Sequence, residues 1–122
     1  MSREIKFRAK RLDNNQLVIG YYLPTQYGEK HFIYFALEFL NEHTRIEIDP
    51  KTLGQYTGFV DKNGIKIFVG DVVHISGIGN YEIKDICQDF DMLVNAIVEG
   101  DLNEIVGNIY ENKELITGVK NG

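Results

Sequence analysis

Apolar and polar residues alternate along most of this chain, a pattern that predicts β-strands with one buried face. In residues 4–11, EIKFRAKR, the apolar side chains of Ile5, Phe7 and Ala9 fall on one side and the basic side chains on the other. The turn sequence DNN follows, and QLVIGYYL then returns the chain. These two segments are therefore predicted to form an N-terminal hairpin.

The most apolar window is HFIYFALEFL, residues 31–40. Its three phenylalanines follow a helical spacing, whereas Ile33, Tyr34 and Phe35 in succession suit a strand. We favour a strand through the first half of the window.

Residues 44–49, TRIEID, alternate again and predict a short strand. DPKTLG predicts one helical turn, because an Asp cap is followed by Pro at the first helical position and by a closing Gly. Two apolar strands then flank the turn DKNG, whose Asn63 and Gly64 both tolerate a positive φ. Gly70 and Asp71 predict a bend before the next strand.

The last third of the chain predicts two strands around a short helix. YEIKDICQDF, residues 81–90, has a period of two and is interpreted as a strand. A helix is predicted within residues 91–101, with Asp91 as its cap and Gly100 as its stop. Residues 104–110 predict a final strand, and the polar tail from Glu111 is expected to fray.

Seven or so short strands separated by regular turns predict a mostly β protein, a small antiparallel barrel or sandwich with one or two short helical turns. The 122 residues suit a single domain. A subdivision is conceivable into an N-terminal β region (1–53), a second β region (54–116) and a frayed tail (117–122).

Composition and charge narrow the functional classes. Cys87 is the single cysteine, so no disulfide can form within the chain. The first ten residues lack the apolar stretch of a signal peptide, and no apolar run is long enough to cross a bilayer, so a cytoplasmic protein is expected. Residues 1–60 have a charge balance of +1, whereas residues 61–122 have one of −6. The acidic half is a poor surface for phosphate backbones.

The basic side chains of the first strand are the candidate nucleic-acid contacts: Lys6, Arg8 and Lys10. In a strand they project on one side, and Tyr21 and Tyr22 of the partner strand could stack on bases. The alternative, which we favour because the net charge is −5, is an exposed charged edge that prevents aggregation.

The apolar window provides a candidate protein interface, formed by Phe32, Tyr34, Phe35 and Phe39. If both faces of the strand are apolar, a second copy or a protein partner could cover the excess, and a homo-oligomer is expected. The alternative is a central core strand that is buried on both sides.

Candidate catalytic groups are few. Cys87 and His74 could form a nucleophile pair, but a buried, inert thiol is favoured, since no helix N-terminus or basic neighbour is predicted near it. Asp85, Asp89 and Asp91 could hold a cation, but their spacing is not that of an EF-hand, and a solvated acidic strand end is the simpler interpretation. The sequence therefore predicts no metal, no cofactor and no catalytic site.

Three segments occur in an order and spacing that resemble the YopX family: REIKFRAK, DPKTLGQYTGFVDKNGIKIFVGDVV and VGNIYENKEL. The resemblance implies a small, mostly β protein from phages or prophages of Gram-positive bacteria, with an SH3-like barrel portion at about residues 54–110. It implies no activity, cofactor or catalytic residue. The hypothesis is a non-enzymatic accessory module that binds protein, with self-assembly before binding as one form of it. The alternatives are a nucleic-acid-binding module and, less favoured, an enzyme.

Overall fold

A computed structural model describes residues 6–23, 30–35 and 43–111. Within these ranges the chain forms nine strands, one short 3₁₀ turn and one α-helix. The elements are β1 Phe7–Lys10, β2 Leu17–Tyr22, β3 His31–Tyr34, β4 Arg45–Ile48, the 3₁₀ turn Pro50–Thr52, β5 Gly54–Val60, β6 Lys66–Phe68, β7 Asp71–Ile75, β8 Gly79–Glu82, α1 Ile86–Val98 and β9 Leu102–Asn108. The predicted mostly β class is confirmed.

The strands form two antiparallel sheets, in the orders β4-β3-β2-β1-β5-β6 and β8-β7-β9. The described strands form no closed barrel, which leaves a small sandwich as the architecture consistent with them. Similarity to an SH3-like barrel stays a prediction. By compactness the chain divides into two units, Met1–Tyr56 and Thr57–Gly122.

In the first unit, β1 to β4 form a meander, and one of its faces contains the core. The strand registers place Ala9, Ile33 and Ile48 on that face, and all three side chains are buried. One hydrogen bond joins the ends of β4 and β1: the Asp49 N–H, just after β4, donates to the Lys10 carbonyl at 2.9 Å. The predicted N-terminal hairpin is confirmed, with Asn15 at φ 61° in its turn.

The turn after β4 also forms as predicted. The Asp49 side chain caps the 3₁₀ turn by accepting from the Lys51 N–H at 3.0 Å, and Pro50 follows at the first helical position. Gly54 does not close this turn but begins β5, because the chain leaves the turn in an extended conformation at Leu53.

In the second unit, α1 packs on the sheet β8-β7-β9 around one apolar core. The fully or largely buried members of this core are Ile67, Val73, Ile75, Ile83, Leu93, Ala96 and Leu102. The predicted bend at Gly70 is present, with φ 102°, and the Tyr110 ring packs where a Cβ would stand. Glycine is therefore required at this position for both its conformation and its size.

The hairpin turn between β5 and β6 differs from the prediction in one respect. Gly64 has φ 81°, but Asn63 does not have a positive φ. The reason is the Asp61 side chain, whose Oδ1 accepts from the N–H groups of Asn63 and Ile65 at 2.8 and 2.9 Å. Ile65, which follows the turn, is exposed.

The strand predicted over residues 81–90 is wrong beyond Glu82, because the helix begins at Ile86. Asp85, not Asp91, is its N-cap, and its carboxylate accepts from the Gln88 N–H at 2.9 Å. The alternation seen in the sequence ends where this cap redirects the backbone. Gly100, at φ 77°, ends the helix as predicted.

Candidate functional site

Helix α1 has an apolar side that the core of its own unit does not cover. The side facing the core contains Asp89, Leu93 and Ala96, all buried. A second row of apolar residues recurs every three or four positions and ends at Val98, whose side chain is 75% exposed. We define the α1 surface as the residues of this row: Ile86, Phe90, Val94, Ile97 and Val98.

A groove continues the α1 surface toward β5. It has a volume of about 390 Å³ and is lined on one side by residues 58–62 and on the other by Ile97, Gly100 and Leu102. The rings of Phe59 and Phe90 lie 5.6 Å apart, so the groove and the helix surface form one apolar area. Such an area on a small protein is typical of a binding surface.

The charged groups in the groove have structural partners. Asp61 is 5% exposed, and its Oδ2 accepts from the Ile105 N–H at 3.0 Å while its Oδ1 holds the β5–β6 turn. Burial alone would raise the pKa of Asp61, but these backbone hydrogen bonds hold it below its ordinary value. Lys62 pairs with Glu104 at 3.4 Å. The groove therefore offers apolar contact rather than a catalytic carboxylate.

The structure separates the three aspartates that were predicted to cluster. Asp85 caps α1 and Asp91 is exposed, whereas Asp89 is buried. Asp89 accepts from the Tyr81 hydroxyl at 2.6 Å and from the N–H groups of Lys84 and Asp85 at 2.7 and 3.1 Å. It thus joins the end of β8 to the first turn of α1. The interpretation as a solvated acidic strand end is wrong for Asp89.

The contact between Asp89 and Tyr81 shifts the pKa values of both groups. Burial favours the neutral form of Asp89, but the hydrogen bonds from Tyr81 and the backbone outweigh it and lower the pKa of the carboxyl group. The same hydrogen bond to Asp89, with burial, raises the pKa of Tyr81 to about 12. Both shifts are those of a structural hydrogen bond between a carboxylate and a phenol.

His74 and Cys87, the candidate nucleophile pair, lie in two different elements of the second unit. His74 lies in β7, and its Nδ1 is 2.9 Å from the Asn103 amide nitrogen. Cys87 was expected to be buried and far from any helix terminus, but it is exposed in the first turn of α1, because the helix begins six residues earlier than predicted. Within the described residues, His, Cys, Asp and Glu form no group of three or more that could hold a metal ion.

The predicted basic face lies on an internal strand. β1 pairs with β2 on one side and with β5 on the other, so the alternative of an exposed edge strand is wrong. Arg8 lies between Ile19 and Gly54 in this register and is only 9% exposed, while Lys6 and Lys10 are half-buried. Burial of Arg8 removes the middle member of the predicted row from solvent.

The residues of the predicted apolar interface also differ in their exposure. β3 is internal to its sheet; Tyr34 is buried, and Phe32 is half-buried with the Arg45 guanidinium 4.1 Å from its ring centre. Phe35 is 54% exposed just after the strand ends. Phe39 lies outside the described residues.

The α1 surface was not predicted, although the sequence contains a signal for it. Ile86, Phe90, Val94 and Ile97 follow a spacing of four, four and three, which is helical. The signal was assigned to a strand because Ile83, Asp85 and Cys87 also alternate with their neighbours.

In the described part of the chain, no helix is long and apolar enough to cross a membrane. A family model described as YopX protein matches residues 6–117. No curated protein and no solved structure matches the chain significantly.

Proposed function

The chain belongs to the YopX family, and we propose that it is a phage or prophage accessory protein of Gram-positive bacteria that acts by binding another protein, without catalysis. It would act in the cytosol of the bacterial host. The observation that supports protein binding most directly is the α1 surface with its adjoining groove.

The α1 surface has the chemistry of a protein interface. Phe90, Ile97 and Val98 are exposed on one helix, and Val60 is exposed on the facing wall of the groove. Burying apolar side chains of this size contributes about 1.5–3 kcal/mol each when they pass fully from water into a packed interface. Aromatic anchors such as Phe90 are typical of the residues that dominate such contacts.

The titratable side chains that catalysis would require make structural contacts, and this supports the non-catalytic part of the proposal. Asp61 and Asp89 are buried acceptors of three hydrogen bonds each, and His74 contacts Asn103. A general acid or base must have its titrating atom directed at a substrate site. These groups use their polar atoms to hold strands, turns and a helix together.

The test compares partner capture by two single variants of the full chain. Val98→Ser removes the most exposed apolar side chain of the α1 surface, and Leu12→Ser removes a comparably exposed one from the turn after β1. Nuclease-treated host lysate is passed over each protein. We expect one or more host or phage proteins to be retained by the wild type and by Leu12→Ser but lost with Val98→Ser. Equal retention by all three proteins would count against the α1 surface.

Self-association is the second part of the proposal, and Phe35 supports it. Its ring is exposed just after β3 ends, whereas the preceding residues Ile33 and Tyr34 are buried. Sedimentation velocity over a range of concentrations should show a species larger than the monomer, and Phe35→Ser should shift it toward the monomer. A monomer at all concentrations would remove this part of the proposal and leave the first part unaffected.

A further inference from the structure

We propose that the α1 surface takes a basic amphipathic segment of its protein partner, with apolar residues on the helix and lysine or arginine along the rim. This inference rests on the proposed function and specifies the chemistry of the partner. The observation that supports it is the distribution of charge around the apolar residues.

All charged residues of the helix and its two ends are acidic. Residues 85–101 contain five acidic residues and no lysine or arginine. Asp89 is buried against Tyr81, but Asp85, Asp91 and Glu99 are exposed and Asp101 is half-buried. The rim of the α1 surface therefore presents carboxylates to solvent.

Asp91 lies directly beside the apolar row. It precedes Val94 by three residues and Val98 by seven, and residues at these separations share one side of an α-helix. A segment seated on Val94 and Val98 would bring its own polar edge close to this carboxylate. A lysine or arginine at that edge would be attracted, and a glutamate or aspartate would be repelled.

The C-terminal end of α1 strengthens this preference. The carbonyl end of a helix has a partial negative charge, and cations stabilise it. Here Glu99 is the C-cap and Asp101 follows, with no basic residue in the last turn. Ile97 and Gly100, from the same end, line the groove. A cationic side chain entering the groove would relieve this concentration of negative charge.

The groove suits the shape of such a side chain. Phe59, Ile97 and Leu102 can contact the aliphatic stem of a lysine or arginine while its charged head stays near the rim. The cation on the facing wall, Lys62, is matched by Glu104, so it does not neutralise the carboxylates of α1. A second copy of the chain fits less well, because pairing α1 with itself would bring acidic rims together.

Two synthetic peptides test the inference on the full-length protein. They share one apolar helical face and differ only in the polar face, which is lysine in one and glutamate in the other. Fluorescence anisotropy with wild-type protein should show the lysine peptide binding at least about tenfold more tightly than the glutamate peptide. Raising the salt from about 0.05 M to about 0.5 M should reduce that difference, because the rim charges are exposed.

Variants separate the apolar and the charged contributions. Val98→Ser should weaken both peptides, whereas Asp91→Asn should weaken the lysine peptide alone, by about two- to fivefold. Asp13→Asn is the matched control, since it removes one exposed carboxylate from the other unit, and it should leave binding unchanged. Circular dichroism of each variant checks that the fold is retained.

The possible results distinguish the two levels of the proposal. Equal binding of both peptides, or tighter binding of the glutamate peptide, would overturn the inference, and continued loss with Val98→Ser would leave the proposed function standing. Binding of neither peptide would overturn both. A dimer of the wild type that Val98→Ser dissociates would also overturn the inference, because a second copy would then be the occupant.

Discussion

At the scale of single residues, the hydrogen bond between Tyr81 and Asp89 joins the end of β8 to the first turn of α1. The Tyr81 hydroxyl donates to a carboxylate that is almost fully buried. Tyr81→Phe would leave one oxygen of that carboxylate without its donor. Hydrogen bonds to charged groups contribute about 1.5–3 kcal/mol, so we expect the free energy of unfolding to fall by that amount in urea titrations at pH 7.

Asp85→Asn is the matched control for this variant. Asn is as good an N-cap as Asp, and its side-chain oxygen can still accept from the Gln88 N–H, so the expected change is below about 0.5 kcal/mol. A loss in Tyr81→Phe no larger than in Asp85→Asn would show that the buried hydrogen bond contributes little.

The lowered pKa values of Asp61 and Asp89 predict a stability that depends on acid. A carboxyl group with a lower pKa in the folded state stabilises the fold above its unfolded pKa of about 3.9, and the contribution is lost as the pH falls through the folded value. We expect the free energy of unfolding to decrease steadily below about pH 4. Asp89→Asn should be less stable at pH 7 and should have a smaller decrease. An unchanged acid dependence in Asp89→Asn would contradict this assignment.

At the scale of elements, Asp61 joins the β5–β6 turn to β9 in the second unit. Its two oxygens accept from Asn63 and Ile65 in the turn and from Ile105 in β9. Asp61→Ala would leave these three N–H groups without their acceptor, and we expect a loss of about 2–4 kcal/mol in chemical denaturation. Lys62→Ala, which removes only an exposed ion pair, should cost less than about 1 kcal/mol. Equal losses would contradict the central role of Asp61.

The elements that the sequence predicted correctly are those with local signals. The turn after β1, the cap and proline at Asp49 and Pro50, and the Gly64 turn each depend on a few neighbouring residues. The start of α1 was missed because it depends on Asp89, which reaches back to the N–H groups of Lys84 and Asp85. Alternation at Ile83 to Cys87 resembles a strand, but the helix begins where Asp85 caps it and where Asp89 contacts Tyr81.

The candidate sites likewise depend on contacts that the local sequence does not reveal. Lys6, Arg8 and Lys10 alternate as an exposed face would, but the alternation does not reveal that β1 pairs on both sides. Phe35 is part of an apolar window in the sequence, but its exposure depends on where β3 ends. The α1 surface follows from the sequence only once the helix is extended back to Ile86.

At the scale of the whole molecule, the charge distribution favours the proposal of protein binding over that of nucleic-acid binding. The net charge is −5 and the isoelectric point is about 5.1, so the chain as a whole repels a phosphate backbone. Of the three basic residues first considered as contacts, Arg8 is almost buried. A nucleic-acid-binding domain normally has a basic surface that is clustered and exposed.

We therefore expect no retention of single- or double-stranded DNA or RNA in a mobility-shift assay at low salt. Non-specific binding by basic domains has dissociation constants of about 1–100 µM, so a titration to about 100 µM protein would detect it. Retention that weakens with salt and is lost in a Lys6→Gln, Lys10→Gln double variant would restore the alternative. Lys62→Gln and Lys66→Gln together are the matched control, because they remove the same charge from the second unit. Loss of retention with the control pair as well would assign the binding to general charge rather than to β1.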